Sequence, residues 1–275
     1  MTTHLSIGLR KELAKYGAFA RVGLAGARAE PGKTYAGVVF LFVILGVFSA
    51  LWRAVGAMGA SGGSAGGVGT RQMMVWYIAM TEWVLFCAPL LHFDVEADVR
   101  RGDVAYQIGR PVSYIGAHLA RAVGSLVLRA PVLLAAACTA GLLFGGRPAH
   151  PAAIVRVVVI GVFAAIVISA WYVSIGLLAF WLGDIAPVYW IWQKLTFVLG
   201  GLLLPLSFYP DLVVRIAEFT PFLAMLTGPA SFVLVHPLFG TIELVGLLVL
   251  WLVVACTVAV ALFRRATRTL QLNGG

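Results

Sequence analysis

VVVIGVFAAIVISAWYVSIGLLAFWLG, residues Val157–Gly183, has no charged side chain over a length that decides the fold. As an α-helix this run extends about 40 Å, which exceeds the roughly 30 Å hydrocarbon core of a bilayer. Uncharged runs of similar character occupy Ala36–Trp52 and Leu244–Phe263. Because a helix satisfies its own backbone polar groups, such segments are suited to lipid. The chain is therefore predicted to be an all-α polytopic membrane protein.

The composition supports the same fold class. Of the 275 residues, 61% are hydrophobic and 11% are charged, whereas a soluble domain carries about 25% charged residues. The net charge of +9 comes from basic residues at the edges of apolar runs, which indicates anionic lipid headgroups and not nucleic acid as the partner. The cysteines Cys87, Cys138 and Cys256 lie one each in separate apolar segments. Their spacing predicts no disulfide and no metal site.

Two further spans each contain one ionisable residue. Met73–His92 contains Glu82, and Ala122–Phe144 contains Arg129. An ionisable group inside a span is costly unless it faces protein or water, so both residues are candidates for function. The alternative for Glu82 is a structural carboxyl, either neutral or paired with Arg129.

Prolines break the apolar region that precedes the last span. Pro221, Pro229 and Pro237 are spaced eight residues apart, which forbids one long straight helix. We expect one span that ends near Pro205 to Pro210, followed by short helices that enter the membrane and return to the same side.

The N-terminal residues are amphipathic. On a helical wheel Leu5, Leu9, Leu13, Tyr16, Ala20 and Leu24 share one side, away from the basic residues. This pattern favours a helix in the membrane interface, with packing on another protein as the alternative. The complete prediction is an interface helix at 5–30, six spans at 36–57, 73–92, 119–144, 154–183, 188–209 and 242–264, a cytoplasmic segment at 93–118, and a re-entrant helical hairpin at 211–238.

The distribution of basic residues orients the six spans. An even number places both termini on one side, and the positive-inside rule makes that side the cytoplasm of a bacterial-type inner membrane. The cytoplasmic side then receives Arg10, Lys11, Lys15, Arg21, Arg28, Lys33, Arg100, Arg101, Arg110, Arg121, Lys194, Arg264, Arg265 and Arg268.

Motifs of catalysis do not fit this chain. GARAEPGKT at Gly26–Thr34 has five residues between its glycines, where a phosphate-binding P-loop needs four. The glycine-rich run Gly59–Gly69 matches the nucleophile-elbow pattern by composition alone and is predicted to be an external loop. The chain is therefore predicted to be no enzyme and to bind no cofactor of its own.

The longest polar stretch between spans is FDVEADVRRGDVAYQIGRPVSYIGAHLAR, Phe93–Arg121. Connecting two helices needs only about two to eight residues. One interpretation is a solvated loop whose charges pair with each other. The other is a docking element for a soluble partner, in which charges set orientation.

The order of these features resembles the ABC-2 type transporter permeases. The phrases GDVAYQIGRPVSYIGAHLAR (Gly102–Arg121) and GGLLLPLSFYPDLVVRIAEFTPFLAMLTGPASFVL (Gly200–Leu234) are similar to the branch of that family associated with viologen-type drug export. The resemblance implies the permease subunit of an ATP-driven exporter with a hydrophobic or cationic drug-like substrate. It also implies a second permease, identical or homologous, and two copies of a separate ATPase that binds ATP and Mg²⁺.

The resemblance also implies roles for particular residues. Contact with the ATPase is expected at Asp94, Glu96, Asp98, Arg100, Arg101, Asp103, Arg10, Lys11 and Lys15. A substrate path is expected at Glu82 and Arg129, and a re-entrant gate at Pro205, Phe208, Pro210 and Pro221. The alternatives from other classes are an intramembrane enzyme acting on lipid-linked substrates and a non-catalytic membrane scaffold.

Overall fold

The structure is a computed structural model that describes residues 2–59, 68–109, 112–148, 150–234 and 236–273. Side chains are described for these residues except 2–13, 55–59, 68–70, 108, 207 and 269–273. The predicted glycine-rich loop therefore falls largely outside the described residues. The described helices are α1 Thr2–Ala29, α2 Pro31–Gly59, α3 Val68–Cys87, α4 Leu91–Arg101, α5 Asp103–Ile108, α6 Tyr114–Gly145, α7 Pro151–Leu177, α8 Ala179–Leu182, α9 Ala186–Leu199, α10 Asp211–Glu218, α11 Pro221–Met225, α12 Thr227–Ala230 and α13 Thr241–Asn273.

The prediction of an all-α polytopic membrane protein is confirmed. Within the described part of the chain no β-strand occurs, and five helical stretches are long and apolar enough to cross a membrane. They are Pro31–Ala54, Arg71–Arg101, Tyr114–Gly145, Pro151–Leu182 and Thr241–Arg268.

The predicted fifth span at 188–209 is wrong as a single helix. Helix α9 ends at Leu199, and its 14 residues extend only about 21 Å. The chain turns at Gly200 and at Gly201, whose φ of +59° favours glycine. An irregular stretch and a short 3₁₀ turn at Leu206–Phe208 follow. Six spans are therefore possible only if α9 and this irregular stretch cross the membrane together. The count of six spans stays a prediction.

Two other predicted boundaries shift for local reasons. The span predicted at 73–92 is not one continuous helix, because α3 stops at Cys87 and Pro89 separates it from α4. The segment predicted at 93–118 consequently begins inside α4 and includes the first turn of α6. The short helices predicted at 211–238 are present as α10, α11 and α12, of which α11 and α12 are completely buried.

Helix α6 is the centre of the bundle and packs against α1, α2, α3 and α7. Small residues allow the close approach: a Cβ on Gly141 of α6 would lie 3.0 Å from the ring of Trp76 on α3. Helix α7 packs in turn against α13 and α4. Among the five candidate spans, the one that contains α3 is the most deeply buried in this arrangement.

Side chains of α3 and α2 support α6 at its middle and at its end. Pro131 interrupts the hydrogen bonding of α6, and Nε1 of Trp83 donates to the neighbouring Ala130 carbonyl at 3.0 Å. At the end of α6 the Phe144 carbonyl accepts hydrogen bonds from Arg71 at 2.7 Å and from Ser49 at 3.1 Å. These donors satisfy a carbonyl that the helix itself leaves without a partner.

Candidate functional site

The charged segment folds into a corner made of α4 and α5. Gly102 has a φ of +76°, ends α4 and starts α5. Its backbone N–H donates to the carbonyls of Asp98 and Val99, which closes the end of α4 as a left-handed cap. A side chain at this φ is strained, so the sharp corner depends on glycine.

Asp98 joins the three elements of this corner. Its Oδ2 accepts hydrogen bonds from Nε2 of Gln107 on α5 and from the Tyr114 hydroxyl on α6, each at 3.2 Å. Nε2 of His118 on α6 lies 3.4 Å from the same oxygen, and Arg101 lies 3.4 Å from the other. Among the predicted contact residues Asp98 therefore holds the segment together.

The remaining charges of the segment divide into two groups. Glu96 is largely buried and lies 3.4 Å from Arg100. Asp94, Arg100, Arg101 and Asp103 present their charges outward, and each of the two arginine side chains is 65% exposed. Arg101 also donates to Asp103 at 3.0 Å. The charges of the segment therefore pair with each other, and they leave an exposed surface of mixed charge on which both arginine side chains remain accessible.

The inner side of α4 is fixed to α7 and α9. A Cβ on Gly176 of α7 would lie 2.6 Å from the Val95 side chain, so α4 and α7 are in close contact. The buried ring of His92 stacks on Tyr189 of α9 with 4.0 Å between ring centroids, and lies edge-on to Tyr172 of α7 at 4.8 Å. The sequence analysis missed this aromatic cluster, because its members are distant in sequence and have no common motif.

Helix α1 packs on the end of α6 that adjoins the charged segment. A Cβ on Gly23 would lie 2.0 Å from the Arg121 carbonyl oxygen, and one on Gly124 would lie 1.7 Å from the Ala20 carbonyl oxygen. The Arg121 guanidinium lies over the Phe19 ring at 5.6 Å. The two backbones therefore touch without side chains between them. At Ala20, on the predicted apolar side of α1, the helix contacts α6 and not lipid, while the placement of α1 in the membrane interface stays a prediction.

The predicted basic contact residues of α1 are only partly described. The side chains of Arg10 and Lys11 lie outside the described residues. Lys15 is half-buried. Beyond α1, a hydrogen bond from Lys33 and its positive charge lower the pKa of the exposed Glu30 carboxyl.

Glu82 lies in the second half of α3, five residues before its end, and is 1% exposed. Its Oε1 has no hydrogen-bond partner among the described residues. Burial of a polar atom without a partner costs about 1–3 kcal/mol. An unpaired carboxyl oxygen at this place is therefore expensive for the fold.

Arg129 does not pair with Glu82, although the two are predicted for one path. Its Nη2 donates to the Phe86 carbonyl at 2.9 Å, near the end of α3, where backbone acceptors lack partners. The positive charge also suits the negative end of the helix dipole. The structure thus separates the two residues: Glu82 is unpaired at Oε1, and Arg129 caps a helix.

The predicted gate residues lie around the break after α9. Pro205 is buried and precedes the 3₁₀ turn, Pro210 directly precedes α10, and Pro221 begins α11. The ring of Phe208 is 55% exposed and lies 6.0 Å from Trp52 of α2. The four residues belong to one region, and only Phe208 has a ring contact with another span.

Hydroxyl groups stabilise the break itself, and the sequence analysis missed them. Thr227 of α12 donates to the Gly200 carbonyl at 2.7 Å. Tyr77 and Thr81 of α3 donate to the carbonyls of Gly201 and Leu202 at 2.6 and 2.8 Å. Irregular backbone is tolerated at membrane depth only when such groups are satisfied within protein.

A protein-family model described as ABC-2 family transporter protein matches residues 60–274. The chain belongs to the ABC-2 transporter family. No curated protein and no solved structure matches it. The match covers α3 to α13 and includes the charged corner, Glu82 and the break after α9.

Membership makes this chain a membrane permease component of an ABC transporter. ABC-2 permeases are transport subunits, and they usually work with an ABC ATPase. The resemblance stated from the sequence is confirmed at the level of the family.

Proposed function

We propose that this ABC-2 permease is the substrate-conducting subunit of an ATP-driven exporter of hydrophobic or cationic drug-like compounds. It works with a second permease, identical or homologous, and with two copies of an ATPase that bind ATP and Mg²⁺. One observation carries most of the proposal: α1 and the charged corner meet at the same end of α6. That end faces the cytoplasm in the proposed orientation, where a soluble ATPase is accessible.

The ATPase docks on the outward face of the α4–α5 corner in this proposal. Arg100 and Arg101 supply its exposed charge, while Asp98 holds α4 to α5 and α6 from within. Exposed charges at the rim of an interface contribute more to orientation and association rate than to affinity. Closure of the ATPase pair would then push on α4 and α1 together and favour one access state of the permease.

Charge reversal tests the docking surface. We expect the double variant Arg100→Glu, Arg101→Glu to lose most of the co-purified ATPase and to reduce substrate-stimulated ATP hydrolysis about tenfold, because like charges across an interface cost several kcal/mol. Co-purification and ATP hydrolysis in proteoliposomes measure the effect. Arg147→Glu is the matched control, since Arg147 is an exposed arginine beyond the opposite end of α6. A fully active complex carrying the double reversal would exclude this docking site.

The proposed substrate path passes Glu82. A cationic compound would give the unpaired carboxyl oxygen the partner that the described residues do not supply. In the conformation described here the site is closed, since Glu82 is 1% exposed. Access therefore requires α3 to separate from a neighbouring helix. Pro205, Phe208, Pro210 and Pro221 form the gate in this proposal, because they border the break beside α3.

Glu82→Gln tests this assignment. We expect export of a cationic dye such as ethidium to fall about tenfold, because a hydrogen bond to a charged group contributes about 1.5–3 kcal/mol. Assembly with the ATPase should remain intact, since glutamine has nearly the same shape. Glu243→Gln is the control at an exposed carboxyl at the start of α13. Unchanged dye export by the Glu82 variant would remove this residue from the path.

A further inference from the structure

A groove separates the last turns of α13 from the approach to α6. Its volume is about 420 Å³. One wall is the end of α13, and the other is formed by Gln107 of α5 and by residues 112–115, which lead into α6. The stacked rings of Tyr114 and Phe263, 5.1 Å apart, join the two walls. The groove therefore adjoins the charged corner without belonging to the proposed docking face.

The α13 wall changes from apolar to basic along its length. Val260, Phe263, Arg264 and Thr267 line it, and their spacing of three and four residues puts them on one face of the helix. The apolar pair lies deeper in the candidate span, which ends at Arg268. A ligand of this wall thus meets apolar side chains at one end and a guanidinium at the other.

The opposite wall also offers both kinds of group. Ile115 and Val112 are apolar, whereas Gln107 and Ser113 are polar. Both walls therefore suit a ligand that has an apolar part and a polar part. A small soluble anion would leave the apolar floor uncovered, and a purely apolar compound would leave the polar end without a partner.

Arg264 supplies the charge of the groove. Its side chain is exposed, and within the described part of the chain its guanidinium has no ion pair and no hydrogen bond. Arginine binds phosphate oxygens through two parallel hydrogen bonds. Basic pockets between spans at the cytoplasmic surface are suited to lipid headgroups for this reason.

We propose that this groove binds an anionic phospholipid. The headgroup phosphate pairs with Arg264, and the upper acyl chain lies along Val260, Phe263 and Ile115. Such a lipid bridges α13 and the chain that leads from the charged corner into α6. A bound lipid would also steady the charged corner for the ATPase, and this second statement rests on the proposed function. The binding of the lipid does not depend on it.

Competition between two lipids tests the site on the full chain without an ATPase. The protein is purified in detergent, equilibrated with equal amounts of phosphatidylglycerol and phosphatidylcholine, and its retained lipids are counted by native mass spectrometry. We expect phosphatidylglycerol to be preferred, and Arg264→Gln to reduce this preference about tenfold through loss of a charge-assisted contact. Arg264→Lys should keep a preference, because the charge remains. Val260→Trp should reduce retention by filling the apolar floor.

The control is Arg265→Gln, the adjacent arginine on α13, which does not line the groove. We expect it to change the preference less than twofold. An equally large effect at Arg265 would show general attraction to a basic surface and would overturn the site. Competition by glycerol 3-phosphate, which has no acyl chain, would identify a soluble anion as the ligand and would also overturn it. If the protein without substitutions retains phosphatidylglycerol and phosphatidylcholine equally, the proposed site is likewise overturned. Since no ATPase is present, these outcomes are independent of the docking proposal.

Discussion

Gly23→Ala will detach α1 from α6, while Gly17→Ala on the same helix will not. The new Cβ at Gly23 would lie 2.0 Å from the Arg121 carbonyl oxygen, whereas the one at Gly17 meets nothing within 4 Å. A backbone atom cannot move aside as a flexible side chain does, so the helices must separate. Alanine is the better helix former by about 1 kcal/mol, and loss of helicity therefore cannot explain the effect.

Hydrogen exchange measures this separation. We expect the amides of residues 16–24 to exchange at least about tenfold faster in the Gly23 variant, because overpacking costs about 1–3 kcal/mol. Gly124→Ala should reproduce the result from the α6 side, since its Cβ would lie 1.7 Å from the Ala20 carbonyl oxygen. Stimulated ATP hydrolysis should fall in both variants and remain unchanged for Gly17→Ala. Equal exchange in all three would contradict the backbone contact.

Thr227→Val has the second large expected effect. The substitution keeps the shape of the side chain and removes the hydroxyl that donates to the Gly200 carbonyl at 2.7 Å and lies 3.0 Å from the Tyr77 hydroxyl. The buried carbonyl would lose this partner, which costs about 1–3 kcal/mol. We expect the thermal midpoint in detergent to fall by about 5 °C, in line with the usual relation between free energy and midpoint.

Threonines of the outer helix surfaces are the controls for this measurement. Thr139 and Thr257 are exposed, and their hydroxyls donate only to carbonyls of their own helices. Thr139→Val and Thr257→Val should change the midpoint by less than about 1 °C, as surface substitutions usually do. If Thr227→Val behaves as these two do, the break after α9 does not depend on the hydroxyl.

Local sequence predicted the features that depend on neighbouring residues. The long apolar helices and a helix at the N-terminus each follow from residues adjacent in sequence, and both are present. The charged segment was predicted only as a polar stretch, and its fold into a corner was not. The prolines of 221–237 likewise predicted short helices. The family resemblance rested on two contiguous phrases and was confirmed.

The features that could not be predicted from the sequence depend on contacts between residues that are distant in the chain. The end of α9 at Leu199 depends on hydroxyls of Tyr77 and Thr81 that are more than 120 positions away. The residues on both sides of Leu199 are apolar, so hydropathy does not mark the end of α9. A prediction from hydropathy therefore continues the fifth span beyond it. The separation of Arg129 from Glu82 has the same origin, since the backbone of α3 offers Arg129 a partner that no sequence pattern displays.

The direct contact between α1 and α6 has a mechanical consequence. With no compressible side chains between the backbones, a displacement of α1 passes into α6 without slack. Helix α6 has 32 residues and extends about 48 Å in all, of which roughly 35 Å separate Arg121 at the α1 contact from the Phe144 carbonyl that Ser49 and Arg71 bind. Pro131 weakens it near the midpoint, where Trp83 supports the backbone. Helix α6 therefore connects α1 at one end with α2 and α3 at the other, and Pro131 is the place between them where bending would cost the fewest backbone hydrogen bonds.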